Sequence, residues 1–182
     1  MLKIEVPDTE AFDPRTNEFI VVKGKSLTLE HSLVSISKWE SKWHKPYLGE
    51  EPKTTEEVYD YIRCMTLTQN VEPHTFMCIP ASEMSKINDY IQDPMTATWF
   101  KGDQEKRKPR SREVITSEII YYWMVAFNIP MECQKWHLNR LLTLIRVCEE
   151  KNKTPEKMSK RDLMARNKAL NAARRKRLNS RG

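Results

Sequence analysis

The chain predicts a mostly α fold of the α+β class: a helical domain with a small N-terminal antiparallel β element and a basic C-terminal helical arm. Three observations predict it. Apolar residues recur at helical spacing from about residue 33 onward, and before that they alternate. The 182 residues contain only four glycines and ten prolines, too few for a β-rich or low-complexity chain. The last 32 residues hold twelve Lys/Arg against two acids, so a segment of one sign follows a body of the other.

Leu2, Ile4 and Val6 alternate with polar residues, Phe19 to Val22 is rich in β-branched and aromatic side chains, and Leu27 and Leu29 alternate again after a Lys23-Gly24-Lys25 turn. Residues 1–30 therefore read as the β element, with PDTEAFDPRTNE (7–18) as a polar loop between strands. Leu33, Ile36, Trp39 and Trp43 then mark one face of a helix that must stop before Pro46. Thr54-Thr55-Glu56-Glu57 reads as a capping box, with Val58, Tyr61, Ile62 and Met65 as the buried face behind it. A shorter helix is expected after Pro80, with Met84, Ile87 and Ile91 inward and an end near Pro94.

KGDQEKRKPRSR (101–112) has no apolar residue and reads as a basic solvated loop inside a helical core spanning 31–150. Ile119 to Phe127 is apolar on every side, which predicts a helix buried all round and broken by Asn128-Ile129-Pro130. Leu138, Leu141, Leu142, Ile145 and Cys148 form the stripe of the next helix, and the two are expected to pack face to face as an antiparallel pair. Residues 151–182 form the arm, with Ser159 and Asp162 suggesting an N-cap. Its apolar residues are few, so the helix gains stability by docking on something.

No metal, cofactor or catalytic signature is present: no glycine-rich phosphate loop, no G-x-S-x-G and no H-E-x-x-H. Cys64, Cys78, Cys133 and Cys148 form no C-x-x-C pair and read as free thiols in a reducing compartment. Cys133 and His137, four apart, would form a thiolate–imidazole pair if they shared a helix face; a thiol beside a surface histidine is the commoner outcome. The N-terminus MLKIEVPDTE lacks the apolar stretch of a secretory signal, and the longest apolar run falls far short of the roughly 20 residues that span a bilayer. No membrane association and no enzymatic activity are expected.

Contact residues are expected instead. Trp39 and Trp123 are assigned to the core, whereas Trp43 and Trp136 flank basic residues, among them Arg140, and belong at a rim. Residues 1–150 sum to −4, and to −8 without 101–112, against +10 for the arm. Arg174, Arg175, Lys176 and Arg177 therefore suit nucleic-acid phosphates, an acidic protein surface including a second copy of the chain, or solvent alone. The arm has no aromatics, which argues against base stacking.

Three stretches, LTLEHSLVSISKWESKWHKPYL (27–48), SREVITSEIIYYWMVAFNIPMECQKWHLNRLLTLIRVC (111–148) and KMSKRDLMARNKALNAARRKRL (157–178), resemble the tail assembly chaperones of tailed bacteriophages. KTTEEVYDYIRCMTL (53–67) and INDYIQDPMTAT (87–98) extend the resemblance through most of the chain after Ser26. The resemblance implies a protein that binds the long, apolar, helical tape-measure protein in the host cytoplasm. Such a protein keeps its client soluble until tail-tube subunits polymerise around it and is absent from the mature virion. It also implies that a longer product made by ribosomal frameshifting can exist. The rival readings are a nucleic-acid-binding or packaging-related phage protein acting through the arm, and a structural neck or tail protein.

Overall fold

A computed structural model describes residues 1–13, 17–100, 114–153 and 160–178. The fold is mostly helical with a small antiparallel β element at the N-terminus, as the residue pattern predicts. Two compact units are resolved, Met1–Glu149 and Glu150–Gly182.

The first unit opens with β1 (Leu2–Val6), β2 (Thr9–Asp13), β3 (Glu18–Val22) and β4 (Lys25–Leu29). β1 pairs with β4 and β2 with β3, both antiparallel. The register is the same in both pairs: Val6 faces Lys25 and Thr9 faces Val22, so the four strands are one ribbon broken at Pro7-Asp8 and Lys23-Gly24. The region expected to be a polar loop thus holds β2. Its Phe12 lies opposite Phe19, a cross-strand aromatic pair of the kind that stabilises antiparallel ribbons.

At the break the Gly24 N–H donates to Asp8 Oδ1 at 2.7 Å. A Cβ on Gly24 would stand 2.9 Å from both Asp8 N and Val6 O, so the strands cross too closely for any side chain there. By alternation Phe12, Phe19 and Val21 continue the row of core-facing Ile4 and Leu27. Yet those three are exposed while Val22, on the other row, is buried. The ribbon turns over at its break.

Helices follow in order: α1 (Leu33–Trp43), α2 (Thr55–Met65), α3 (Pro73–Met77), α4 (Ala81–Gln92), α5 (Ser117–Ala126), a 3-10 turn (Met131–Lys135) and α6 (Leu138–Asn152). α1 buries Leu33, Ile36 and Trp39 and ends on His44, which takes the left-handed conformation before Pro46. α2 begins with the predicted box, Thr54 accepting from Glu57 N–H and Glu57 accepting from Thr54 N–H. Its Tyr61, Ile62 and Met65 are buried and Val58 is half-buried. The short helix α3, which has too few residues to show a period, contributes Phe76 to the core. α4 buries Ile87 and packs on β1.

α1 is the hub, packing against α2, α5 and the 3-10 turn. Two expectations for α5 are therefore corrected. Its principal partner is α1, not α6, and it is covered on one side only. Ser117, Ile120 and Met124 are buried, whereas Tyr122 and Val125 are 69% and 66% exposed and Trp123 is half-buried. α6 keeps its stripe, with Leu138, Leu141 and Ile145 buried and Leu142 and Cys148 half-buried.

The second unit contains α7 (Lys160–Leu178), all of whose described side chains are exposed. Segment 101–112 and the Ser159 cap lie outside the described residues, as does the side chain of Asp162. No helix among the described residues is long and apolar enough to cross a membrane.

Candidate interaction surfaces

α5 is held by a carboxylate from α1. Glu40, itself buried, accepts from the Tyr47 N–H through Oε1 and from the Ser117 N–H through Oε2, both at 2.8 Å. The N-cap residue Thr116 makes no side-chain cap bond, so Glu40 satisfies this free donor from across the core. Ile120 and Met124 then lie against α1, which turns Tyr122 and Val125 outward. Val114 and Ile115, in the irregular chain just before the helix, are also exposed. Met131, in the 3-10 turn, is also about half exposed. Glu118 is the single charged residue of α5. The solvent face of the helix thus carries Tyr122 and Val125, with Glu118 on the same face one turn before Tyr122. A second apolar surface lies on the ribbon, where Phe19 is 73% exposed beside Phe12 and Val21.

Of the contact residues expected from sequence, Trp136 and Arg140 are brought together: the guanidinium lies 4.3 Å from the indole centroid, a cation–π contact at the start of α6. Trp136 is half-buried and Arg140 exposed. Trp43 is placed elsewhere. It stacks on the buried Trp39 with centroids 6.2 Å apart and donates its indole N–H to Asp60 at 2.9 Å, and Lys42 pairs with the same carboxylate. It forms the rim of the α1–α2 core. Arg175, Lys176 and Arg177 occupy the last turn of α7 and Arg174 immediately precedes it, all exposed. Trp99, 88% exposed, escapes a periodicity reading because it lies beyond α4 in irregular chain. Beside it Phe100 carries the Arg146 guanidinium at 3.9 Å.

Beneath these surfaces runs a buried polar cluster that the sequence does not announce. The His31 Nδ1 pairs with the Tyr61 hydroxyl, and its ring meets His137 edge-on with centroids 5.1 Å apart. Burial, with His137 adding to it, pushes the His31 imidazole down to about 4. The His31 carbonyl accepts from Leu138 N–H at 2.7 Å and so holds the first residue of α6. His137 accepts the Asn139 N–H on Nδ1 and reaches the Tyr90 carbonyl with Nε2, which assigns its proton to Nε2. Tyr90 in turn pairs with Glu30, and burial is the first cause raising its phenol. Tyr47 stacks on Tyr61 at 3.9 Å.

The Cys133–His137 pairing is corrected as well. Cys133 lies in the 3-10 turn and His137 precedes α6, so no helix carries both, and both ring nitrogens of His137 face backbone groups. Cys64 and Cys78 are half-buried free thiols, each raised chiefly by burial, and Cys133 is buried. Among the described residues no group of three or more His, Cys, Asp or Glu is placed to hold a metal ion.

No protein-family model, curated protein or solved structure matches the chain.

Proposed function

We propose that this chain is a tail assembly chaperone of a tailed bacteriophage. It binds the tape-measure protein in the host cytoplasm, keeps that long apolar helical client soluble while the tail tube polymerises, and leaves before the virion is complete. It works through surfaces and performs no chemistry on its client.

One observation carries the reading: α5 leaves Tyr122 and Val125 exposed side by side, on a face whose one charge is Glu118. An amphipathic helix recognises such a face through its own i, i+3, i+4 residues, and aromatic anchors supply most of the affinity in contacts of this kind. Met131, exposed in the following 3-10 turn, offers a flexible thioether of the kind that repacks around varied segments. The resemblance of residues 27–48, 111–148 and 157–178 to the phage chaperones supports the same reading.

Co-expression with overlapping tape-measure fragments tests it. The chain should co-purify with apolar helical fragments, and Tyr122→Ser with Val125→Ser should lower capture about tenfold or more while leaving the fold intact. Failure to bind any fragment, or stoichiometric presence of the chain in purified virions, would refute the reading.

A further inference from the structure

α7 carries cations on two sides of its circumference. Asn167, Asn171 and Arg174 follow one another at i, i+4 and i+7 and share a face, with Leu170 and Leu178 beside them. On one flank of that face Arg161, Lys168 and Arg175 recur every seven residues, two turns apart. On the other flank lie Arg166 and Arg177. The back of the helix, about 28 Å long, carries Ala165, Ala169, Ala172 and Ala173, good helix formers, with Lys176 among them. All these side chains are exposed.

We propose that α7 binds duplex DNA by lying in the major groove. Charge complementarity selects the ligand: two cationic rows bracket a central row, as two phosphate backbones bracket a groove. The width agrees, because the major groove of B-form DNA, about 12 Å across, admits one α-helix. The central row agrees in chemistry. An Asn amide matches the donor–acceptor pair of adenine, an Arg guanidinium matches the two acceptors of guanine, and an apolar side chain such as Leu170 can meet a thymine methyl. Duplex RNA is a poor alternative because its major groove is deep and narrow, and the arm has no ring on which a single strand could stack. This inference is independent of the chaperone reading, whose surface is α5.

The test uses the full chain and a labelled 30-base-pair duplex DNA in fluorescence anisotropy across a salt series. With five flanking cations on phosphates, log K should fall against log salt with a slope of about −4.5. Replacing Arg161, Lys168 and Arg175 together with Gln should make the slope shallower by about 2.7, with circular dichroism showing that the helix persists. Bound protein should also shield guanine N7, which faces the major groove, from methylation by dimethyl sulfate. The proposal is overturned by absence of binding at 50 mM salt, by equal affinity for duplex RNA or polyglutamate, by an unchanged slope in the triple variant, or by unshielded N7. Because client capture is measured on tape-measure fragments, loss of either activity leaves the other readable.

Discussion

Acidification from pH 7 to pH 5 should destabilise the first unit by about 2 kcal/mol through His31 alone. The ring is 2% exposed, and burial with a second imidazole beside it lowers its pKa from 6.5 to about 4. In the unfolded chain His31 takes up a proton near its ordinary value; in the folded chain it resists until about 4. The unfolded state therefore binds more protons between those values, so stability is full above about 6.5 and falls as the pH drops toward 4. Each pKa unit corresponds to 1.36 kcal/mol, which gives about 2 kcal/mol lost by pH 5 and about 3 by pH 4. Glu57 is also lowered, by Lys45 first and Thr54 next; its contribution is present above the usual carboxylate range and lost below it. The interval from pH 7 to 5 therefore lies above the range in which Glu57 contributes, and the comparison with a His31 variant separates His31 from the other histidines. Urea unfolding at pH 7, 6 and 5 provides the assay, with His31→Gln as the reference that keeps a hydrogen-bonding partner for Tyr61. The difference between wild type and variant should shrink steadily as the pH falls. Parallel stability curves, or an imidazole resonance of His31 titrating near 6.5, would refute the reasoning.

Other perturbations read other parts of the fold. Glu40→Ala removes the acceptor of both the Tyr47 and Ser117 N–H groups and should cost about 2–4 kcal/mol in urea unfolding. Trp39→Ala empties the centre of α1 and frees the Glu57 carbonyl that accepts the indole N–H, for a loss of about 3–5 kcal/mol. Thr54→Ala removes only the cap of α2 and should cost about 1 kcal/mol. Tyr122→Ser with Val125→Ser should shift stability by no more than about 0.5 kcal/mol each while lowering client capture about tenfold or more, which separates a contact surface from a core.

What the chain discloses before folding is what neighbouring residues decide among themselves. Thr54 and Glu57 lie three apart and cap each other, so the start of α2 is visible in four letters. Leu33, Ile36 and Trp39 repeat at helical spacing, and all three are buried. The uncovered face of α5 depends instead on α1, far earlier in the chain, and a run that is apolar on every side contains no mark of which side will be covered. β2 is hidden for a different reason. TEAFD has one aromatic among polar residues, and its partner Phe19 supplies the missing half of the signal only once the ribbon closes. His31 looks ordinary because Tyr61 and His137, which give it its chemistry, arrive from α2 and the approach to α6. The sequence places Trp136 beside basic residues, and the structure adds which of them, Arg140, lies over its ring from the first turn of α6.

The crossing of strands at Gly24 acts as a torsional stop. Because the register never slips through the break, the row of side chains that is dry at the root of the ribbon becomes the wet row at its tip. A methyl group at position 24 would force the backbone away from Val6 and Asp8, at the point where the two rows exchange their environments. The direction in which the tip presents its aromatic pair is set by one side chain that is not there.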